Sequence, residues 1–79
     1  GRAIKIYPNP CQDYLSVGFA KPLENALYKI YNLKGEVVMS GRLPSDHRLP
    51  VRSLLDGTYF LQLDAGGSAP TVSKFLIQR

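Results

Sequence analysis

The stretch Asp56-Gly57-Thr58-Tyr59-Phe60-Leu61-Gln62-Leu63 decides how the chain is read. Tyr59, Leu61 and Leu63 alternate with Thr58, Phe60 and Gln62, which is the period of a strand and not of a helix. Asp56-Gly57 stands just before it as a turn signal, and Gly57 is expected at a backbone position with positive φ. The same punctuation recurs on both sides of this stretch. It yields a first strand at Ala3 to Tyr7 (Ile4 and Ile6 on one face) and a second at Tyr14 to Phe19 (Leu15, Val17 and Phe19 inward). A third runs from Ala26 to Asn32, with Tyr28 and Ile30 facing the core. Leu33-Lys34-Gly35 closes a short hairpin, with Gly35 in the left-handed region.

A fourth strand follows from Glu36 to Arg42. Its face is ambiguous because Val37, Val38 and Met39 are all apolar, and Val38 is the residue expected inward. A fifth, Arg48 to Arg52, puts Leu49 and Val51 inward, and Pro50, which lacks an N–H, makes it an edge strand or one with few ladder bonds. Leu54 is expected to plug the core from the corner Ser53 to Gly57. The sixth strand is the opening stretch, Thr58 to Leu63. The seventh, Thr71 to Gln78, has Phe75 and Ile77 on one face and Lys74 and Leu76 on the other. Lys21 to Asn25 and Ala65 to Pro70 read as loops. Seven short strands in 79 residues predict one all-β domain built as a small β-sandwich.

Composition narrows the function classes. With 44% hydrophobic and 20% charged residues the chain is an ordinary folded domain. No run of ~18 apolar residues is long enough to span a bilayer as a helix. The N-terminal stretch GRAIKIYPNP lacks the apolar run of a secretory signal peptide, so a segment outside this chain is expected to direct any first export step. The net charge is +4, but the ten basic residues are scattered, which argues against a nucleic-acid partner. Cys11 is the single cysteine, so no internal disulfide can form.

Candidate chemistry is sparse. Ser45-Asp46-His47 holds the three residue types of a hydrolytic triad, but three adjacent turn residues do not converge as a triad must. His47 is the sole histidine, so no cluster has metal-ligand spacing. Cys11 follows a proline with no activating base nearby and reads as a packed thiol. The six acids each sit in or beside a turn and read as solvated. Gly66-Gly67 lacks the lysine and helix of a phosphate loop. The expectation is a domain that is not an enzyme and holds no cofactor or metal.

Four motifs in order go beyond a generic β domain. They are Tyr7-Pro8-Asn9-Pro10, the hairpin Tyr28 to Val38 with its Tyr31-Asn32-x-x-Gly35 core, Leu49 to Leu61 with Leu54-x-x-Gly57-x-Tyr59, and a final Lys74-Phe75-Leu76-Ile77-Gln78-Arg79. Together they resemble the C-terminal sorting domain of the type IX secretion system, over about seventy residues. Pro50 departs from the family pattern, which often has a polar residue there, and puts the pairing of the fifth strand in question.

The resemblance implies an immunoglobulin-like seven-stranded sandwich that acts as a non-catalytic export signal. It implies that residues 1–79 form a single sorting domain detached from an upstream cargo, carried through the periplasm to the outer membrane surface. The implied partners are the type IX translocon and a sortase, with an anionic lipopolysaccharide as a further one. The implied signal motif is Pro8, Asn9, Pro10, Gly35, Gly57, Tyr59, Lys74 and Leu76. A structural or carbohydrate-binding accessory domain is the competing reading; its only good aromatic candidates are Tyr31 and Phe60, both expected outward.

Pro8-Asn9-Pro10 also has a physical reading. Two residues without N–H groups stop strand pairing, each proline restrains its own φ, and the residue before each is pushed toward extended conformations. Asn9 is expected to satisfy local backbone groups, as turn asparagines do.

Overall fold

The computed structural model describes residues 4–19, 25–64 and 69–79. Seven strands follow in chain order: β1 (Ile4–Tyr7), β2 (Tyr14–Phe19), β3 (Leu27–Tyr31), β4 (Val37–Arg42), β5 (Arg48–Pro50), β6 (Gly57–Asp64) and β7 (Thr71–Ile77). Each lies where the alternation places it, with ends moved by a residue or two. They form a three-stranded sheet in the order β1-β2-β5 and a four-stranded sheet in the order β4-β3-β6-β7. Every pairing within the sheets is antiparallel. The chain changes sheets after β2, after β4 and after β5, so neighbours in sequence are repeatedly split between layers. That is the topology of an immunoglobulin-like sandwich.

The core is what period 2 requires of two facing sheets. Leu15, Val17 and Leu49 from the first sheet meet Tyr28, Ile30, Tyr59, Leu61, Leu63, Phe75 and Ile77 from the second. Connections supply Cys11, Ala26, Leu43, Val51 and Leu54, so Leu54 does plug the core from its corner. Among the described residues no charged or polar side chain is buried. Pro50 pairs with Tyr14 at the outer edge of the first sheet, and β5 ends there after three residues. The edge position expected from that proline is therefore observed, and the pairing holds despite it. The expected sides of Ile4 and Phe19, and residues 21–24 and 65–68 of the two expected loops, lie outside what is described, as does Ala3.

The fourth strand corrects one expectation. Met39, not Val38, packs against the core; Val38 is exposed. The register gives the reason. Ile30 pairs with Met39, but the next residue, Tyr31, pairs with Val37, so Val38 is an extra residue in a β-bulge. One inserted residue resets which side chains face inward, and simple alternation cannot announce it.

Two glycines behave as the turns demand. Gly35 has φ 85° and Gly57 has φ 155°. At Gly35 an added Cβ would meet nothing within 4 Å, so any cost of substitution there arises in the backbone alone. At Gly57 the nearest atom to an added Cβ is a Tyr59 ring carbon at 3.8 Å, which is ordinary contact. Gly57→Val should destabilise the domain by more than about 1 kcal/mol through backbone strain. Met39→Ala should lower stability by about 1–2 kcal/mol, whereas Val38→Ala should stay within about 0.5 kcal/mol. Urea midpoints of the three variants test this, and equal shifts for positions 38 and 39 would refute the bulge assignment.

Candidate functional site

β1 ends where Pro8 and Pro10 remove two ladder donors. The Tyr7–Pro8 and Asn9–Pro10 peptide bonds are both cis. From here the chain leaves the first sheet and reaches the outer edge of β7 in the second. Asn9 Oδ1 accepts a hydrogen bond from the Leu76 N–H at 3.0 Å. The Cys11 N–H donates to the Leu76 carbonyl at 2.9 Å, and the Gln78 N–H donates to the Cys11 carbonyl at 3.0 Å. Cys11 and Ile77 thus form a parallel bridge. The expectation that Asn9 serves local groups is corrected: its acceptor goes to a strand 67 residues away. Pro8-Asn9-Pro10 is a corner, and also a strap laid across the sandwich edge.

The strap buries Cys11 completely. Desolvation pushes its thiol pKa up, opposed by a backbone hydrogen bond and by the positive charge of Arg79. A buried protonated thiol is inert packing, as the sequence suggested.

A second group of motif residues meets at the start of β6. The Tyr59 ring stacks on Phe75 with centroids 5.8 Å apart. Its hydroxyl donates to the Leu55 carbonyl at 2.7 Å, four residues upstream. This is the tyrosine-corner arrangement of immunoglobulin-like folds. It holds Gly57 and the preceding corner against the end of β6. Gly35 sits across the sheet, in a turn organised by Asn32. Asn32 Oδ1 accepts from the N–H groups of Lys34 at 2.9 Å and Glu36 at 3.0 Å. The Asn32 amide donates to Glu36 Oε1 at 2.9 Å. An open groove separates this turn from Gly57 to Tyr59.

Arg79 ends the last motif without being one of the eight implied signal residues, and its role is structural. Its guanidinium donates to the carbonyls of Leu54 at 2.7 Å and Val51 at 2.9 Å. It also approaches Asp56 at 3.4 Å and Asp13 at 3.8 Å. Asp13 in turn lies 3.8 Å from Arg52. Acids read as merely solvated therefore converge from separate turns on one arginine. No local signal could have found this, because two of its acceptors are main-chain carbonyls at a corner.

The eight motif residues do not form one pocket. Pro8, Asn9, Pro10 and Leu76 are brought together by the strap. Gly57 and Tyr59 lie at the same end of the second sheet, since Gly57 pairs with Ile77 and Thr58 with Leu76. Lys74 lies two residues up β7, exposed on the outward face beside Phe60. Tyr31 pairs with Phe60 on that face, and both rings are half-buried. Elsewhere, Ser45-Asp46-His47 is occupied as a turn. Asp46 Oδ1 accepts from the Arg48 N–H at 3.1 Å, and the His47 N–H donates to the Pro44 carbonyl at 2.9 Å.

A two-sheet sandwich with a tyrosine corner and a strapped final strand defines a small immunoglobulin-like module. The family "Secretion system C-terminal sorting domain" matches it over residues 5–78. The chain belongs to that family, the C-terminal sorting domains of type IX secretion. No curated protein matches it. Among solved structures, the chain is similar to "Biofilm associated protein - BSP domain", with a TM-score of 0.63 and 19% identity. That match covers 94% of this chain and 14% of the other. At this identity the likeness concerns the fold alone.

The strap and the thiol each generate a test. Asn9→Ala should lower stability by about 1 kcal/mol, the usual net worth of one such bond, and should speed amide exchange at Leu76. Unchanged exchange there would exclude the bond. For Cys11, the folded pKa is raised, so its contribution to stability is intact below the ordinary thiol value of ~8.5 and is lost as the pH rises through the folded value. Cys11→Ala should remove that part of the alkaline destabilisation in pH-dependent melting. A thiol reagent should label Cys11 in the parent only as fast as the domain opens.

Proposed function

We propose that this domain is a non-catalytic sorting signal, read by the type IX translocon and then by a sortase, that takes a protein attached on its N-terminal side across the outer membrane to the cell surface. The single observation that supports this reading is the family match over residues 5–78, on a fold in which the matched motifs occupy structural corners. The motifs account for themselves as architecture at Gly35, Gly57 and Tyr59. Lys74 and the outward face of β7 are not needed to build the core, and they are the surface we assign to recognition. An anionic lipopolysaccharide acceptor agrees in sign with the net charge of +4.

The competing sugar-binding reading has one observation in its favour, the paired Tyr31 and Phe60 on the outward face. The two readings separate in one experiment. A reporter fused ahead of residues 1–79 should appear on the surface of a type IX-competent cell and stay in the periplasm of a translocon-deficient one. Binding of the fusion to glycan beads, with no surface display, would favour the sugar-binding module.

The outward face gives a sharper test. Lys74 is exposed and Leu76 is 36% exposed, so neither anchors the core. Lys74→Gln should change stability by less than ~0.5 kcal/mol. A Lys74→Gln, Leu76→Thr double variant should still melt cooperatively while its reporter accumulates in the periplasm. Full display of that variant would remove this face from the signal.

A further inference from the structure

The strap along β7 covers only half of an available edge. β7 is the last strand of its sheet, with β6 on its inner side. On its outer side, Leu76 exchanges hydrogen bonds with Asn9 and Cys11, and Gln78 donates to Cys11. Those bonds fix the parity of the strand. Backbone groups alternate sides along a strand, so Val72 and Lys74 point the same way as Leu76, outward, while Ser73 and Phe75 face β6. Among the described residues no segment pairs with Val72 or Lys74 on that side. Two N–H groups and two carbonyls therefore stand in a row, directly upstream of a place where this edge already accepts an added parallel segment.

The other three sheet edges are blunted. β4 carries the bulge at Val38. β5 is three residues long and ends in Pro50. β1 is four residues long and runs into Pro8 and Pro10. Bulges, prolines, shortness and edge lysines are devices that stop a strand from recruiting another chain at random. After Pro70, β7 is seven residues long with no bulge and no proline, and its one such device is Lys74, which repels a like-charged strand and admits an acidic one. The strand presents exposed Val72, exposed Lys74 and partly exposed Leu76 along one outward face.

We infer that the open edge of β7 at Val72 and Lys74 is a docking rail for an extended strand of the secretion machinery that carries a carboxylate opposite Lys74. The mode is strand addition: main-chain hydrogen bonds give affinity, and alternate side chains give selectivity. Charge selects the occupant. Lys74 is the one charged side chain on the rail, and the domain carries +4 overall, so an acidic strand is attracted. A second copy of the domain is disfavoured, because antiparallel self-pairing about residues 73 and 74 would bring two lysines close together. The inference rests on the reading of the domain as a sorting signal, and it names the backbone as well as the side chains as what is read.

Proline scanning of the edge tests it in the full reporter fusion. Val72→Pro deletes one outward donor and leaves the β6 ladder intact, since proline is tolerated on an edge whose N–H faces out. Val72→Thr alters the side chain and keeps the donor. The expected result is that both variants melt cooperatively with Ser73 and Phe75 amides still protected. Val72→Thr should be displayed normally, and Val72→Pro should lose about tenfold in surface display, equivalent to roughly 1.4 kcal/mol.

A folded Val72→Pro variant displayed like the parent would overturn the proposal. If that variant fails to fold, hydrogen exchange of the parent domain on purified translocon decides. Newly protected Val72 and Lys74 amides support the rail, and unchanged exchange overturns it. Protection of the same amides in a dimer of the isolated domain would make a second copy the occupant and overturn it as well. A parent fusion that is never displayed would defeat the sorting reading itself and this inference with it, a result distinct from loss in Val72→Pro alone.

Discussion

The hydrogen bonds that Asn9 and Cys11 make to β7 are the constraint on which the closed sandwich depends. β1 and β2 belong to one sheet and β7 to the other, and the chain between β1 and β2 must serve both. Pro8 and Pro10 end the first pairing by withholding donors. Asn9 then replaces what a backbone would have offered, accepting from Leu76 N–H with its side chain. Cys11 completes the crossing with a main-chain bond in each direction. Because its side chain must then face the core, the position calls for something small and apolar, and a protonated thiol meets that need.

Arg79, next after Gln78, secures the same end of the strand. Its contacts with Val51, Leu54, Asp56 and Asp13 draw the corner before β6 and the turn before β2 onto the end of the chain. Tyr59 anchors that corner from within through Leu55. In a chain of this size a hydrophobic core alone nets only about 3–5 kcal/mol. Side chains that satisfy corner carbonyls therefore matter in proportion: each unmet buried carbonyl would cost ~1–3 kcal/mol. The arrangement concentrates polar bonding at the rim and leaves the interior apolar.

This division of labour bears on a sorting domain. Its core and corners account for the glycines, the tyrosine and most of Pro8-Asn9-Pro10 without any partner. What is left over is the outward side of the second sheet and the open half of β7. Under the proposed function the domain is read from its own surface, and backbone edge groups are a surface that no neighbouring domain needs to supply.

The sequence by itself determined the seven strands, the inward faces of six of them, and the turns at Gly35 and Gly57. Those follow from period 2 and from the freedom of glycine, both of which are local. It also marked Pro8-Asn9-Pro10 as the end of β1 and Leu54 as a core plug. Only the tertiary structure decided that Met39 displaces Val38, because the bulge is set by how β4 registers against β3. Only it joined Asn9 to Leu76 and Arg79 to the carbonyls of Val51 and Leu54. Every residue carries a carbonyl and all but proline an N–H, so residue identity does not say which of them stands unpaired at an edge or a corner. That is settled by where the sheets end, and the sheets end where distant strands happen to stop pairing.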